Sequence, residues 1–178
     1  GLVGSEMCIR DRYGHALGEL RSGNRGFTAH VEPRFSLTSA NSDIWISPYP
    51  GTESDIALSI ANVIIKEKLV PESQINEFIS KLPEGKIEFG YSPGDVEKRT
   101  GVSQEKIKEI AHKISKGNSV VFAGGSTSAY TNGKFNTYVV YALNILLGSV
   151  GKVGGLILNP EVNKENIGGS TKSNTCLL

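Results

Sequence analysis

Three short segments of this chain carry residue types that could grip a ligand. In Glu32-Pro33-Arg34 a carboxylate ends an alternating run. An acid there can accept hydrogen bonds from ribose hydroxyls or from the edge of a guanine. In Pro50-Gly51-Thr52-Glu53 a turn leads into a helix start, whose free N–H groups and positive dipole end suit an anion or a polar ligand edge. Glu53 could accept two hydrogen bonds there, from a guanine N1–H and N2–H2. Gly124 and Gly125 follow an apolar run and let a ligand approach the backbone closely. Each segment also has a plainer alternative. These are a solvated carboxylate beside Arg34, an ordinary capped helix, and a tight turn.

Residues for nucleophilic or metal chemistry do not assemble in the same way. His15, His30 and His112 are scattered, and no pair has metal-ligand spacing. No G-x-S-x-G, H-E-x-x-H, G-x-G-x-x-G or phosphate loop ending in G-K-[ST] occurs. No catalytic residue and no metal ligand is therefore assigned. His112 falls on the polar side of its helix, and His30 points off a strand. Trp45 is expected in the core rather than as a stacking platform, and Tyr130-Thr131-Asn132-Gly133 reads as a turn.

The elements that must position these segments are legible from periodicity and punctuation. Tyr13 to Arg21 reads as the tail of a helix ended by Gly23 and Gly26. Residues 26–32 alternate loosely before Pro33 and predict a strand. Ser36 to Ser42 reads as a polar turn, and Asp43 to Ser47 as a second short strand. A helix runs from Thr52 to Lys68, with Thr52 and Asp55 in a capping-box-like pattern. Another starts at Pro71 as its first residue and stops before Pro83. Ser92-Pro93-Gly94-Asp95 opens a short helix, and Ser103 caps one that ends at Gly117. Ser119 to Ala123 predicts a buried strand running into Gly124, and Phe135 to Leu147 an apolar helix. From Asn159 onward the tail is polar and expected to be unstructured. Strands alternating with amphipathic helices predict an α/β fold with a mainly parallel sheet. Ligands in such sheets bind beyond the carboxyl ends of the strands, where the three segments lie.

Composition excludes several classes. The 178 residues carry 19 basic and 18 acidic side chains, a net charge of +1, which argues against a nucleic-acid footprint. The longest apolar stretch, Tyr138 to Leu147, contains Asn144 and is too short to span a bilayer, so no direct membrane insertion is expected. Two cysteines, Cys8 and Cys176, make no disulfide scaffold.

The two ends read differently from the rest. Residues 1–12 resemble a translation of adapter DNA from transposon-based library preparation, with Leu2 to Asp11 matching without a gap. Cys176-Leu177-Leu178 fits the reverse complement of the adapter at the opposite end. The expectation is a natural stretch from Tyr13 to Thr175, internal to a longer gene, with residues 1–12 and 176–178 outside the fold.

Within that stretch the blocks resemble one family. Val31-Glu32-Pro33-Arg34 with Ser36-Leu37-Thr38, Asn41-Ser42-Asp43-Ile44-Trp45-Ile46, and Pro50-Gly51-Thr52-Glu53 with Ala57-Leu58 follow one another in order. Thr100-Gly101-Val102 with Ile107 and Ala111, then Gly124-Gly125, Asn132-Gly133, Leu143-Asn144 and Leu147-Gly148-Ser149-Val150-Gly151-Lys152 with Gly154-Gly155, complete the series. Together they resemble molybdopterin oxidoreductases of the dimethyl sulfoxide reductase superfamily, from about Gly26 to Gly155. The Val-Glu-Pro-Arg run and Trp45 look closest to polysulfide, thiosulfate or tetrathionate reductase-like members.

The resemblance implies an incomplete piece of a larger multidomain fold and a molybdenum or tungsten ion held by two molybdopterin guanine dinucleotides. Residues 13–125 would represent a partial Rossmann-like domain for one dinucleotide, and 126–175 the start of the following cofactor-binding domain. Glu32, Pro33, Arg34, Pro50, Gly51, Thr52 and Glu53 would contact its guanosine end. Gly124, Gly125 and Ser126 would approach the pterin and phosphates, Ser126 standing where a second glycine is usual. A 4Fe-4S cluster and the metal ligand would lie upstream. The implied chemistry is two-electron redox such as sulfur- or oxygen-atom transfer. Implied partners are an iron–sulfur electron-transfer subunit and a membrane quinone-linked subunit. The family includes exported periplasmic and cytoplasmic members, the periplasmic side being slightly favoured here. The isolated stretch is expected neither to hold the whole cofactor nor to turn over substrate. The alternatives are a cofactor-less structural homologue in a quinone-linked respiratory complex and an unrelated nucleotide-binding module, for which the phosphate fingerprint is lacking.

Overall fold

A computed structural model describes residues 5–22, 25–82 and 90–157. The elements are α1 (Ser5–Ser22), β1 (Ala29–Val31), α2 (Leu37–Ala40), β2 (Ile44–Ile46), α3 (Glu53–Lys66), α4 (Glu72–Lys81), α5 (Pro93–Thr100), α6 (Gln104–Ile114) and α7 (Gly133–Leu146). The sequence expectations for residues 1–4, Pro83, the tail from Asn159 and residues 176–178 lie outside the described residues.

The two strands pair in parallel, with Ala29 opposite Ile44, His30 opposite Trp45 and Val31 opposite Ile46. A parallel pair needs a crossover of about a dozen residues. Here α2 makes that crossover where the sequence predicts only a turn. Ser36 caps it, accepting the Ser39 N–H at 3.3 Å. Asp43 fastens the entry to both strands. Its carboxylate accepts the Thr28 N–H at 2.9 Å, the Thr28 hydroxyl at 3.0 Å and an Arg25 N–H at 2.6 Å. These bonds, that from the Thr28 backbone first and that from Arg25 next, hold its carboxyl down at about 2.

The helices follow the predicted positions with informative differences at their ends. Helix α1 extends through residues the sequence reading left without periodicity, and its side chains from Gly14 to Ser22 are exposed. Pro71 sits one place outside α4, as N-cap, with extended backbone. Ser92 caps α5 through a bond from the Asp95 N–H at 3.3 Å. Ser103 occupies the N-cap position of α6 without a side-chain bond to it, and the helix ends at Ile114 rather than Gly117.

Helix α3 is the axis of the core. Ile56, Leu58, Ile60, Ala61, Val63 and Ile64 are all buried. They are covered by α5, α6 and α7, with Phe78 of α4 and Val139, Leu143 and Leu146 of α7 closing the cluster. A helix apolar on nearly every side is a buried helix.

The sheet is smaller than the sequence predicts. Residues 119–123 make no strand ladder. Their backbone is met instead by the Asn144 side chain of α7, which accepts the Val121 N–H at 2.9 Å and donates to the Val121 carbonyl at 2.8 Å. One amide thereby satisfies both backbone polar groups of Val121, which a neighbouring strand would otherwise pair. Among the described residues no helix is long and apolar enough to cross a membrane.

Candidate functional site

The carboxyl end of β1 is fixed from the β2 side. The Glu32 N–H donates to the Ile46 carbonyl at 3.0 Å, extending the ladder by one residue. The Trp45 indole N–H donates to the Glu32 carbonyl at 2.9 Å, and the Ser47 hydroxyl to the Pro33 carbonyl at 3.0 Å. Trp45 is half-buried rather than in the core, with the Phe35 ring edge-on at 4.8 Å between centroids. An indole needs a hydrogen-bond partner when covered, and this one finds it in the loop it braces.

With its backbone held, the Glu32 side chain lies between His30 and Arg34. Its carboxylate meets His30 Nε2 at 3.1 Å and Arg34 Nη2 at 3.3 Å. The Ser36 hydroxyl first, then His30, then the Arg34 charge hold its carboxyl below the ordinary range. His112, read as solvated, pairs with Glu67 at 2.9 Å at a distant surface.

The second segment turns as its residues require. The Thr52 N–H donates to the Tyr49 carbonyl at 3.2 Å, closing a turn with Pro50 and Gly51 at its centre. Gly51 has φ +86°, the left-handed conformation that the third residue of a type II turn demands. Thr52 does not cap α3 with its side chain as expected. Its hydroxyl donates back to the Tyr49 carbonyl at 2.7 Å, while Asp55 pairs with Arg99 at 3.2 Å. The capping-box pattern is spent on the turn and on an ion pair.

Glu53 begins α3 and is 7% exposed. Its Oε2 is buried and has no hydrogen-bond partner. A buried carboxylate oxygen without a donor is costly, about 1–3 kcal/mol for the missing bond alone. Such an atom retains its capacity to accept from a water or a ligand donor.

Glu32, Pro33, Arg34, Pro50, Glu53 and Tyr130 line one cleft of about 300 Å³. The first two predicted segments therefore converge. Of the third segment, Gly124 is not among the described residues lining the cleft. Gly125–Ser128 form a single 3-10 turn, with the Thr127 N–H on the Gly124 carbonyl at 3.2 Å, and Gly124 is exposed. Tyr130 supplies the third wall instead. Sequence reasoning missed it, because a tyrosine before Thr131-Asn132-Gly133 carries only a turn signal. Its place opposite Pro50 comes from the packing of α7 on α3. Among the described residues no group of three or more His, Cys, Asp or Glu could hold a metal ion.

The cleft is small and polar-edged, at the lower end of ligand-site volumes. It sits beyond the ends of two parallel strands, as in open α/β sheets. The solved structure of acetylene hydratase from Pelobacter acetylenicus shares the fold, with a TM-score of 0.63 over 78% of this chain and 19% of that one, at 20% identity. The chain belongs to the molybdopterin oxidoreductases of the dimethyl sulfoxide reductase family. It is 30% identical to the F420-dependent formate dehydrogenase 1 subunit alpha of Methanococcus maripaludis, over 79% of this chain and 21% of that protein. It is also 30% identical to the menaquinone reductase, molybdopterin-binding-like subunit, of Nitratidesulfovibrio vulgaris, over 88% of this chain and 22% of that protein. The chain thus spans about a fifth of the length of these relatives. No protein-family model matches it.

Proposed function

We propose that this chain is part of the catalytic subunit of a molybdopterin-dependent oxidoreductase and that its cleft seats the guanosine end of one molybdopterin guanine dinucleotide. The observation that carries the reading is the unpartnered, buried Glu53 oxygen in the cleft. Guanine offers two adjacent N–H donors on one edge, which a carboxylate can accept together; adenine offers no such pair. Glu32 and Arg34 stand at the mouth, suited to ribose hydroxyls. The first N–H groups of α3 have no acceptor within their own helix and can face a polar ligand edge. Pro33 and Pro50 give apolar walls.

When bound, the cofactor's metal would supply two-electron redox chemistry, such as oxygen- or sulfur-atom transfer. The residues described here bind and orient; none of them is assigned a proton-transfer role. On this reading residues 13–125 form the dinucleotide domain and α7 opens the next unit, whose approach to pterin and phosphates falls to Gly124, Gly125 and Ser126. An iron–sulfur cluster, an electron-transfer subunit and a quinone-linked subunit belong to the whole protein in the same proposal.

The test is titration of guanosine and adenosine monophosphates into the chain, native and Glu53→Gln. The whole cofactor needs further walls, but a base needs only these residues. Preference for guanosine monophosphate that vanishes in Glu53→Gln supports the reading; equal binding of both nucleotides, or none, overturns it. A second reading, a subunit that keeps the fold and has lost the cofactor, is favoured by the likeness to the relative named molybdopterin-binding-like. A chain that folds but ignores guanosine monophosphate would favour it.

A further inference from the structure

We infer that Tyr130 is the stacking wall of the base pocket, its ring lying against the face of a purine whose edge is held by Glu53. This rests on the reading of the cleft as a guanosine site and adds to it a residue that no sequence block marks. The ring is anchored on one side only. A Cβ built on Gly51 would meet Tyr130 Cδ1, Cε1 and Cγ at 3.5, 3.6 and 3.6 Å, so the ring rests against the left-handed corner of the turn. Yet Tyr130 is 40% exposed and lines the cleft. An aromatic ring backed on one face, whose residue is 40% exposed and lines the cleft, is preorganised for stacking through its other face, with only two side-chain torsions to restrain.

The partition of roles follows from the chemistry. Every base has a π-face, so stacking adds affinity without choosing among bases. Selection rests with the Glu53 carboxylate, which recognises a donor pair. Tyr130 stands three residues before α7, and Gly133 allows that proximity. A Cβ there would lie 2.1 Å from the Ser128 carbonyl oxygen, so the loop carrying Tyr130 can close only over a glycine. Gly51 thus backs one face of the ring, and the close approach of Gly133 to Ser128 fixes the backbone that carries it.

The experiment uses the full chain with guanosine and adenosine monophosphates, in the native form and as Tyr130→Phe, Tyr130→Ala and Glu53→Gln. Tyr130→Phe keeps the native affinity. Tyr130→Ala raises the Kd for both nucleotides about tenfold or more while leaving their ratio unchanged. Glu53→Gln collapses the ratio. Proton resonances of the Tyr130 ring shift upfield on addition of guanosine monophosphate and stay in place with ribose 5-phosphate, a ring-current signature that a merely structural tyrosine would not give. Circular dichroism of each variant confirms folding. A nucleotide preference that depends on Glu53 but is indifferent to Tyr130→Ala, with no ring shift, overturns the stacking role and leaves the guanosine reading standing. If Glu53→Gln changes nothing, or no nucleotide binds, the guanosine reading falls and the stacking role with it.

Discussion

Trp45 of β2 reaches Glu32, the residue that follows β1, and its indole N–H donates to the Glu32 backbone carbonyl at 2.9 Å. That bond ties the last residue of the β1 ladder to the side chain of its neighbour. It aims the Glu32-Pro33-Arg34 loop at the cleft. Trp45→Phe keeps a ring for Phe35 to meet but removes the donor. The expected outcome is a loss of about 1 kcal/mol of stability, read by thermal unfolding, and several-fold weaker guanosine monophosphate binding. Unchanged nucleotide affinity in this variant would mean that the loop holds its place without Trp45.

Glu53 should be a stabilising site to neutralise in the absence of ligand. A carboxylate at the first position of a helix gains about 0.3–1 kcal/mol from the dipole. Leaving its buried oxygen unpartnered costs about 1–3 kcal/mol. The second effect is the larger, so Glu53→Met, which removes the unpartnered oxygen, is expected to raise the Tm of the free chain while abolishing the guanine preference. A lowered Tm would show that the carboxylate has a donor in the free protein.

Acid should loosen the strand entry first. The folded pKa of Asp43, about 2, lies below its ordinary value of 3.8. Its unfolded form therefore takes up a proton first, and the stabilisation is present above about pH 4 and lost as pH falls toward 2. Glu32, whose carboxyl is also lowered, acts in the same direction. Asp43→Asn is expected to lower stability at neutral pH and to flatten, in part, the acid limb of a pH–unfolding curve. An acid limb identical to native would mean that other carboxylates set it.

Gly133→Ala tests the turn behind the cleft. The added methyl group would fall 2.1 Å from backbone oxygen, a contact that only movement of the turn relieves. The expected cost is about 2 kcal/mol, measured by denaturant unfolding.

The helices and the strand positions are legible in the sequence because local rules agree there. The apolar spacing of α3 and α6, the Ser92 cap with Pro93, and the break before Pro33 each act within a few residues. The expected convergence of Glu32 and Glu53 follows from strand and helix order alone. What stays hidden depends on contacts across the chain. The Thr52 hydroxyl could accept from the first N–H groups of α3 or donate to the Tyr49 carbonyl, and the turn at Tyr49 wins. The backbone of 119–123 has the composition of a strand, yet Asn144 of α7 satisfies the N–H and carbonyl of its central residue, Val121. Tyr130 has no periodic neighbour to announce it, and only tertiary packing sets it against Gly51.

The cleft walls come from stretches of chain that are far apart: Glu32 after the first strand, Glu53 at the head of the central helix, Tyr130 before the last helix. A molecule seated among them acts as a non-covalent cross-link, closing long loops whose ends must otherwise find one another at an entropic cost. Occupancy is thereby coupled to folding. By mass action, free ligand at a hundred times its Kd would add about 2.7 kcal/mol to the stability of the protein. If the ligand is the cofactor of the proposed function, its supply would govern how much of the folded protein survives as well as what it can do.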